Sequence, residues 1–438
     1  MVDSESPRTR LEQVLGQRQM TVDDFRVGYE RESGDLLSGR QVYRWVAGDL
    51  KGMPHPRSQV VLERMFGEPA TRLLGPPYGV AVAPVISLRT GVARRGRARE
   101  DWQGQVISLT ADRARDFMRD AEATNVGTET LDQLADDVRR LAVAYPRQPL
   151  ASLLEDIADA QERALGFLGG RQRLEHTRDL YLLAGVVSGL LAKAAHDLGA
   201  PHDALTHARA AYICADKAGH DGLRAWTRGM QSLISYWSGR LDDAVRYAEQ
   251  GVDAAARSQG TAAVWLAVSQ ARPLAALGRI PEASAAIERA DAARDHVHPD
   301  ELDNLGGLCT FPISRQLYYA ADSLTWAGHD ESDHTERLAL QALDAYEHAP
   351  ESDRAFGGEA GTRCALAIAR IARREIEGAA EAVAPVLELS PAQRIHGVVT
   401  SVEHVHRALV DLDSEARAAA DLAGALHAFS VERLVLPR

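Results

Sequence analysis

Three segments of this 438-residue chain repeat a glycine followed five residues later by an alanine: Gly199-Ala-Pro-His-Asp-Ala204, Gly239-Arg-Leu-Asp-Asp-Ala244 and Gly278-Arg-Ile-Pro-Glu-Ala283. The glycines stand 40 and 39 residues apart. Each follows a stretch of helical pattern and precedes a second, alanine-rich helix. A pair of helices of this kind cannot bury its apolar face alone, so neighbouring pairs must stack into a continuous core. Small residues at the crossing let the two helices of a pair approach closely. The chain is therefore expected to be all-α, with a stacked helical array over residues 173–438. The pattern is most regular at 177–295. Further units are expected at 306–350 around Gly328, at 355–390 and at 391–430. Residues 128–172 read as an introductory helical pair carried by Leu131, Leu134, Val138 and Leu141, then Leu153, Leu154, Ile157 and Leu165.

Charge separates this array from the N-terminal region. Residues 1–120 hold 19 Arg and Lys against 16 Asp and Glu, a net of +3, which leaves −15 for residues 121–438 of the total −12. The acidic bulk repels nucleic acid, so only the N-terminal region is suited to approach it. Arginine supplies 47 of the 50 basic residues. Alanine is also abundant, as a GC-rich genome would produce, so arginine content alone says little about nucleic acid. The run Arg89-Thr-Gly-Val-Ala-Arg94-Arg95-Gly-Arg97-Ala-Arg99 lacks helical periodicity and reads as part of a linker over 76–109. It either tracks phosphates or serves as a solvated tether. No run of about 18 apolar residues predicts a membrane span. The polar, acidic N-terminus does not read as a signal peptide. Cys214, Cys309 and Cys364 lie far apart without a CxxC pair, which fits a reducing cytosol better than a disulfide framework or a zinc site. A cytoplasmic location is expected.

Residues 37–50, Leu-Ser-Gly-Arg-Gln-Val-Tyr-Arg-Trp-Val-Ala-Gly-Asp-Leu, carry the clearest functional pattern. Ser38 is a helix cap and Gly48 a helix stop. Val42 and Trp45, three apart, define an apolar face, while Arg40, Gln41, Tyr43 and Arg44 project elsewhere. A short helix anchored by one face, with guanidinium forks and a phenol on the other, suits a DNA groove. The segment resembles the recognition helix of Xre/Cro-type helix-turn-helix domains. The resemblance extends over residues 8–75. Leu11, Val14 and Leu15 mark a first helix, and Thr21 caps a second, from Val22 to about Glu32, with Phe25 and Tyr29 on one side. Pro56 opens a fourth with Val60, Val61, Leu62 and Phe66, closed by Gly67. Two departures stand out: the Arg31–Leu37 connection is longer than the family's tight turn, and Val46 occupies a position where many members carry Glu.

The repeats themselves resemble tetratricopeptide (TPR) units, lengthened by about a turn. A helix-turn-helix joined to such a solenoid is similar to the peptide-sensing quorum regulators. It is more closely similar to the Xre/TPR regulators of actinobacteria, to which Gly170-Arg-Gln-Arg-Leu-Glu-His-Thr-Arg-Asp-Leu-Tyr-Leu-Leu-Ala-Gly185 and His220-Asp-Gly-Leu-Arg-Ala-Trp226 are alike. The resemblance implies regulated transcription without naming a signal. It implies a DNA-binding domain over 1–75, the linker, an introductory segment over 110–172 and the solenoid. Arg40, Tyr43 and Arg44 are expected to read bases. Ser38, Gln41 and Lys51 are expected to contact phosphates and fix register. The expected partners are double-stranded DNA and a second copy of the chain, because one such domain buries too little surface for tight specific binding.

Counting back from each turn glycine places a second candidate site on the first helix of each pair, the side such repeats turn inward. Positions about 2, 3, 6, 10 and 13 residues before Gly199, Gly239, Gly278 and Gly328 select Lys193, Trp226, Tyr236, Trp237, Trp265, Arg272, Arg315, Tyr318 and Trp326. Four of the six tryptophans fall in this register, although glycines alone set it. Such a groove would bind a peptide or apolar small molecule bearing an anion, with arginine forking onto a carboxylate. The alternative is that the rings pack between repeats. Peptide-sensing solenoids often use asparagine to hold the ligand backbone, and Asn125 and Asn304 both lie outside the register. His196-Asp197 reads as a solvated pair, with titration in the groove as the alternative. No P-loop, GxSxG, HExxH or GxGxxG pattern is present. His404 and His406, and His202 and His207, are not placed as metal ligands, and His296 and His298 before Pro299 read as a surface pair, with a metal contact as the alternative. Neither an enzyme nor a cofactor or metal site is therefore expected. A TPR scaffold whose helix-turn-helix does not read DNA is the competing function.

Overall fold

The computed structural model describes residues 7–18, 20–34, 36–50, 53–77, 110, 124–412 and 417–431. The fold is all-α, with no strand among these residues. The chain divides into two compact units, Met1–Val106 and Ile107–Arg438.

The first unit contains α1 (Arg10–Gln17), α2 (Val22–Ser33), α3 (Gly39–Ala47), α4 (Pro56–Phe66) and a single turn, α5 (Ala70–Leu73). Local chemistry sets each boundary. The Glu12 N–H donates to the Thr9 hydroxyl, Thr21 and Asp24 cap each other reciprocally, and Pro56 takes a first-turn position of α4, where its missing N–H costs nothing. Leu11, Phe25, Val42, Leu62 and Leu73 are fully buried, and the Tyr29 and Trp45 rings meet edge to face at 5.5 Å. Val60, expected on the apolar face of α4, is instead 54% exposed, because the core takes Leu62 and Phe66 from that helix. The connection between α2 and α3 is also shorter than expected. α2 continues to Ser33, and Gly34 closes it in the left-handed conformation. Leu37 is buried, and its N–H donates to the Glu30 carboxylate at 3.1 Å, which ties the connection back to α2.

The second unit is a stack of helical hairpins. α6 (Thr128–Ala144) pairs with α7 (Leu154–Leu168), and α8 (Leu174–Asp197) with α9 (Pro201–Ala218). α10 (Asp221–Trp237) pairs with α11 (Leu241–Glu249) and α12 (Val252–Arg257). α13 (Thr261–Ser269) and α14 (Ala271–Ala276) form one interrupted helix against α15 (Ile280–Arg294), the interruption arising because Pro273 cannot donate to the Ser269 carbonyl. α16 (Ile313–Leu324) pairs with α17 (Ser332–His348), α18 (Phe356–Ala372) with α19 (Ile376–Leu387), and α20 (His396–Asp411) with α21 (Arg417–Val431). The first helices of successive pairs, α8, α10, α13–α14, α16, α18 and α20, pack on one another. Leu165 in the introductory pair is an exception to its expected burial: it faces solvent at 47% exposure, while Ile157, Ala160 and Ala164 fill the contact.

Gly199, Gly239 and Gly278 all have φ between 71° and 76°. In each turn the N–H of the next residue reaches the carbonyl five residues before it, as in Ala200 to Ala195. This is a helix ending that only a left-handed residue completes. The alanines five residues on, Ala204, Ala244 and Ala283, are fully buried at the crossings. A fourth turn has the same geometry without glycine. Arg374 has φ 65°, the Glu375 N–H reaches the Arg370 carbonyl at 2.9 Å, and Ala379 is fully buried. Gly328, by contrast, has ψ −136° and belongs to a different turn. A side chain in the left-handed region is strained by roughly 1 kcal/mol, and the Arg374 side chain is exposed. Arg374→Gly is therefore expected to raise stability by up to about 0.5 kcal/mol once the entropic cost of glycine is subtracted. Urea unfolding measures it, and a loss of stability would refute the strain.

Candidate functional site

The first candidate surface is the outer face of α3. Its inner face is held by Val42, Trp45 and Val46, none more than 2% exposed, and the Thr9 hydroxyl donates to the Val46 carbonyl at 2.7 Å. The helix is thereby clamped to α1. Ser38, Arg40, Gln41, Tyr43 and Arg44 all lie exposed on the other side, with Tyr43 at 64%. The Gln41 N–H donates to the Ser38 hydroxyl at 3.3 Å, so Ser38 is the cap. Arg44 donates through Nε to the Asp49 carbonyl at 3.2 Å, which holds its stem along the helix end. Arg40 has no partner among the described residues. Lys51 and the basic run 89–99 lie outside the described residues.

The second candidate is an interior cavity of about 130 Å³ in the second unit. The first helices of the pairs line it, from Lys193 on α8 to Val398 on α20. It is partly covered because the array returns on itself. The His196 and His396 rings meet edge to face at 5.5 Å, and His396 Nε2 lies 3.4 Å from the Trp237 carbonyl. Arg147 bridges to Glu351 at 2.9 Å. The expected groove is thus a partly covered cavity, with Gln148, Phe356 and Gly357 at its more exposed side.

Of the nine residues selected by register, Lys193, Trp237, Trp265, Arg272, Arg315 and Tyr318 reach the cavity. Trp226, Tyr236 and Trp326 do not line it. Trp226 is 1% exposed and packed between helices, its Nε1 donating to the Leu308 carbonyl at 3.2 Å and its ring 5.9 Å from Trp265. Trp326 lies outside, donating to the Tyr236 hydroxyl at 3.0 Å and covering the His404 ring. Spacing along one helix could not separate these cases, because neighbouring helices decide which ring meets empty space. The register also missed Tyr145 from the introductory pair, Tyr319 on α16 and Phe356 on α18. No repeat signal points to the first and third, because the closure that brings them in is a long-range contact.

Arg272, expected to await a ligand carboxylate, already has one nearby. Its Nε lies 2.7 Å from Asp322 Oδ2, with both side chains almost fully buried. The N–H does not point at the oxygen, so this is an ion pair without an aligned hydrogen bond, and the Arg272 Nη2 has no acceptor at all. The guanidinium lies 3.5 Å from the Tyr319 ring centre and 4.6 Å from that of Tyr318, which gives it cation–π support. Lys193 is paired with Asp197, and Asp197 also accepts from the Tyr145 hydroxyl at 2.9 Å. Arg315 makes one long contact, 3.5 Å to the Gly307 carbonyl. Of the three cations on the wall, Lys193 thus faces Asp197 and Arg272 faces Asp322, inside an otherwise acidic unit.

His196 and Asp197 are each 3% exposed, so they are not the solvated pair their residue types suggested. Burial, then the charge of Lys193 and the neighbouring His396, hold the His196 pKa well below the usual histidine value. Burial likewise lowers His404, more than nearby Asp322 raises it. The folded protein refuses a proton that the unfolded chain accepts below about pH 6.5, so stability falls as pH drops through that value. His196 alone is expected to contribute a loss of about 1.4 kcal/mol per pH unit. Denaturant titrations between pH 5 and pH 8 would measure the slope. His196→Gln should flatten it, and an unchanged slope would assign it elsewhere.

Among the described residues, no cluster of three or more His, Cys, Asp or Glu side chains is arranged to hold a metal, and no helix is long and apolar enough to cross a membrane. Neither protein-family models nor curated proteins give a match to the chain.

Proposed function

We propose that this protein is a sequence-specific DNA-binding transcription regulator of the Xre/Cro helix-turn-helix type, acting in the cytoplasm as a homodimer and controlled by an effector in its TPR-like second unit. The observation that carries the reading is α3. One face is locked to the core by Val42, Trp45 and Val46, and the other presents Arg40, Gln41, Tyr43 and Arg44 to solvent with Ser38 at its start. A rigid helix with exposed guanidinium groups in its first turn (Arg40) and last turn (Arg44) is an arrangement that suits major-groove reading. Arg40, Tyr43 and Arg44 are the base readers in this proposal, and Ser38, Gln41 and Lys51 anchor phosphates. The unit's near-neutral to positive balance favours DNA, whereas the −15 of residues 121–438 does not.

The test is selection of bound genomic fragments followed by gel shift at two salt concentrations. A retained consensus and an affinity that falls with salt are expected. Arg40→Ala or Arg44→Ala should cost about 1–3 kcal/mol at one base position and leave stability unchanged. Equal losses on every sequence would reduce these residues to phosphate contacts. No retained sequence and no salt slope would favour a protein-interaction scaffold, a reading that the acidic second unit accommodates.

A further inference from the structure

We infer that the cavity of the second unit binds a small aromatic carboxylate, with the anion on Arg272 and Arg315 and the ring among Trp237, Trp265 and Tyr318. The inference supplies the effector for the regulator proposed above and rests on that reading only for its use.

Charge points to an anion. Arg272 is 2% exposed, yet its Nη2 meets no acceptor, and its contact with Asp322 lacks hydrogen-bond alignment. A guanidinium cannot lose its charge; the Nε and Nη2 of Arg272 are sealed from the cavity, so the part of the side chain that reaches the wall is what a ligand anion would meet. Arg315 stands on the same wall with one long hydrogen bond, to the Gly307 carbonyl, and the Phe311 ring centre 5.8 Å away. Lys193 is different, since Asp197 already occupies it. A planar carboxylate matches two guanidinium forks better than a spherical ion does.

Shape points to one ring. The remaining wall is mostly aromatic and aliphatic, and the volume is about 130 Å³. A cavity of roughly 150 Å³ accepts a benzene ring, whereas drug-sized ligands need about 300 Å³ or more. The approach of α20 to α8 covers part of the groove and shortens the length that an extended peptide could occupy.

Calorimetric titration of the full-length protein with benzoate, benzamide and inorganic phosphate tests this. Benzoate should bind at least about tenfold more tightly than its neutral isostere benzamide, the factor one charge-assisted hydrogen bond supplies. Phosphate should bind more weakly than benzoate. Arg272→Lys keeps the charge but loses the fork, and should weaken benzoate by about tenfold while leaving benzamide unchanged. Leu233→Trp fills the cavity from an apolar wall residue, and should abolish benzoate binding in a protein with an unaltered helical spectrum. Equal affinity for benzoate and benzamide, phosphate binding as tight as benzoate, or benzoate binding that survives Leu233→Trp would each overturn the inference. The titration needs no DNA. Lost benzoate binding with retained DNA binding defeats this inference alone, and benzoate binding without DNA binding defeats only the regulator.

Discussion

Arg272→Met is expected to destabilise the second unit by about 3–5 kcal/mol, the cost of leaving a buried charge without its partner. The variant strands Asp322, which is 4% exposed and has the Arg272 guanidinium as its ion-pair partner. Desolvation makes the pair expensive to build, and the same desolvation makes it more expensive to break. Loss of the stacking on Tyr318 and Tyr319 adds to the effect. The double variant Arg272→Met with Asp322→Leu removes both charges and keeps apolar volume, so it should recover most of the loss. Urea unfolding of the two singles and the double gives the coupling directly. A double variant as unstable as the sum of the singles would mean that Asp322 is not what Arg272 neutralises. The pair links α14 to α16, so breaking it is also expected to disturb the cavity wall that both helices share.

Trp226→Ala carries the second large effect. The side chain is among the largest that are fully buried, and its removal is expected to cost about 3–5 kcal/mol. Its place depends on Gly189 of α8, where an added Cβ would stand 2.0 Å from the indole ring. Helix α8 and helix α10 approach here because one side has no side chain. Gly189→Val in the native background should therefore cost about 1–3 kcal/mol through overpacking. In Trp226→Ala the same valine enters the vacated space, so the double variant should be more stable than additivity predicts. Additive losses would show that the ring and the glycine do not share this space.

Helix existence and most helix ends were legible because they depend on neighbours in sequence. Thr21, Ser38 and Pro56 begin helices where their chemistry indicates, and Gly48 and Gly67 end them, whereas the Gly34 ending of α2 was read as part of a longer connection. Three of the four equivalent hairpin turns were readable from glycine. The fourth was hidden because Arg374 takes the left-handed conformation at a strain that the surrounding helices outweigh. The tryptophan register identified the right helices but not the right rings. Trp265 and Trp237 reach the cavity, whereas Trp226 fills a packing gap and Trp326 lies on the outer side. Leu165 and Val60 fit apolar stripes and yet face solvent, since periodicity names a face without saying what covers its edge.

By itself, then, the sequence determined what short-range physics controls: an all-α chain, its hairpin period, the caps of α3 and the two faces of that helix. Only the tertiary structure decided that α8 and α20 meet, that Tyr145 and Phe356 join a wall built by distant repeats, and that Arg272 is paired with Asp322 while keeping an unfilled donor. Small rotations accumulate from hairpin to hairpin along a solenoid, and their sum sets whether its ends touch. No local residue pattern encodes that sum. The partly covered cavity, and with it the size and charge of what it accepts, is therefore a property of the folded array.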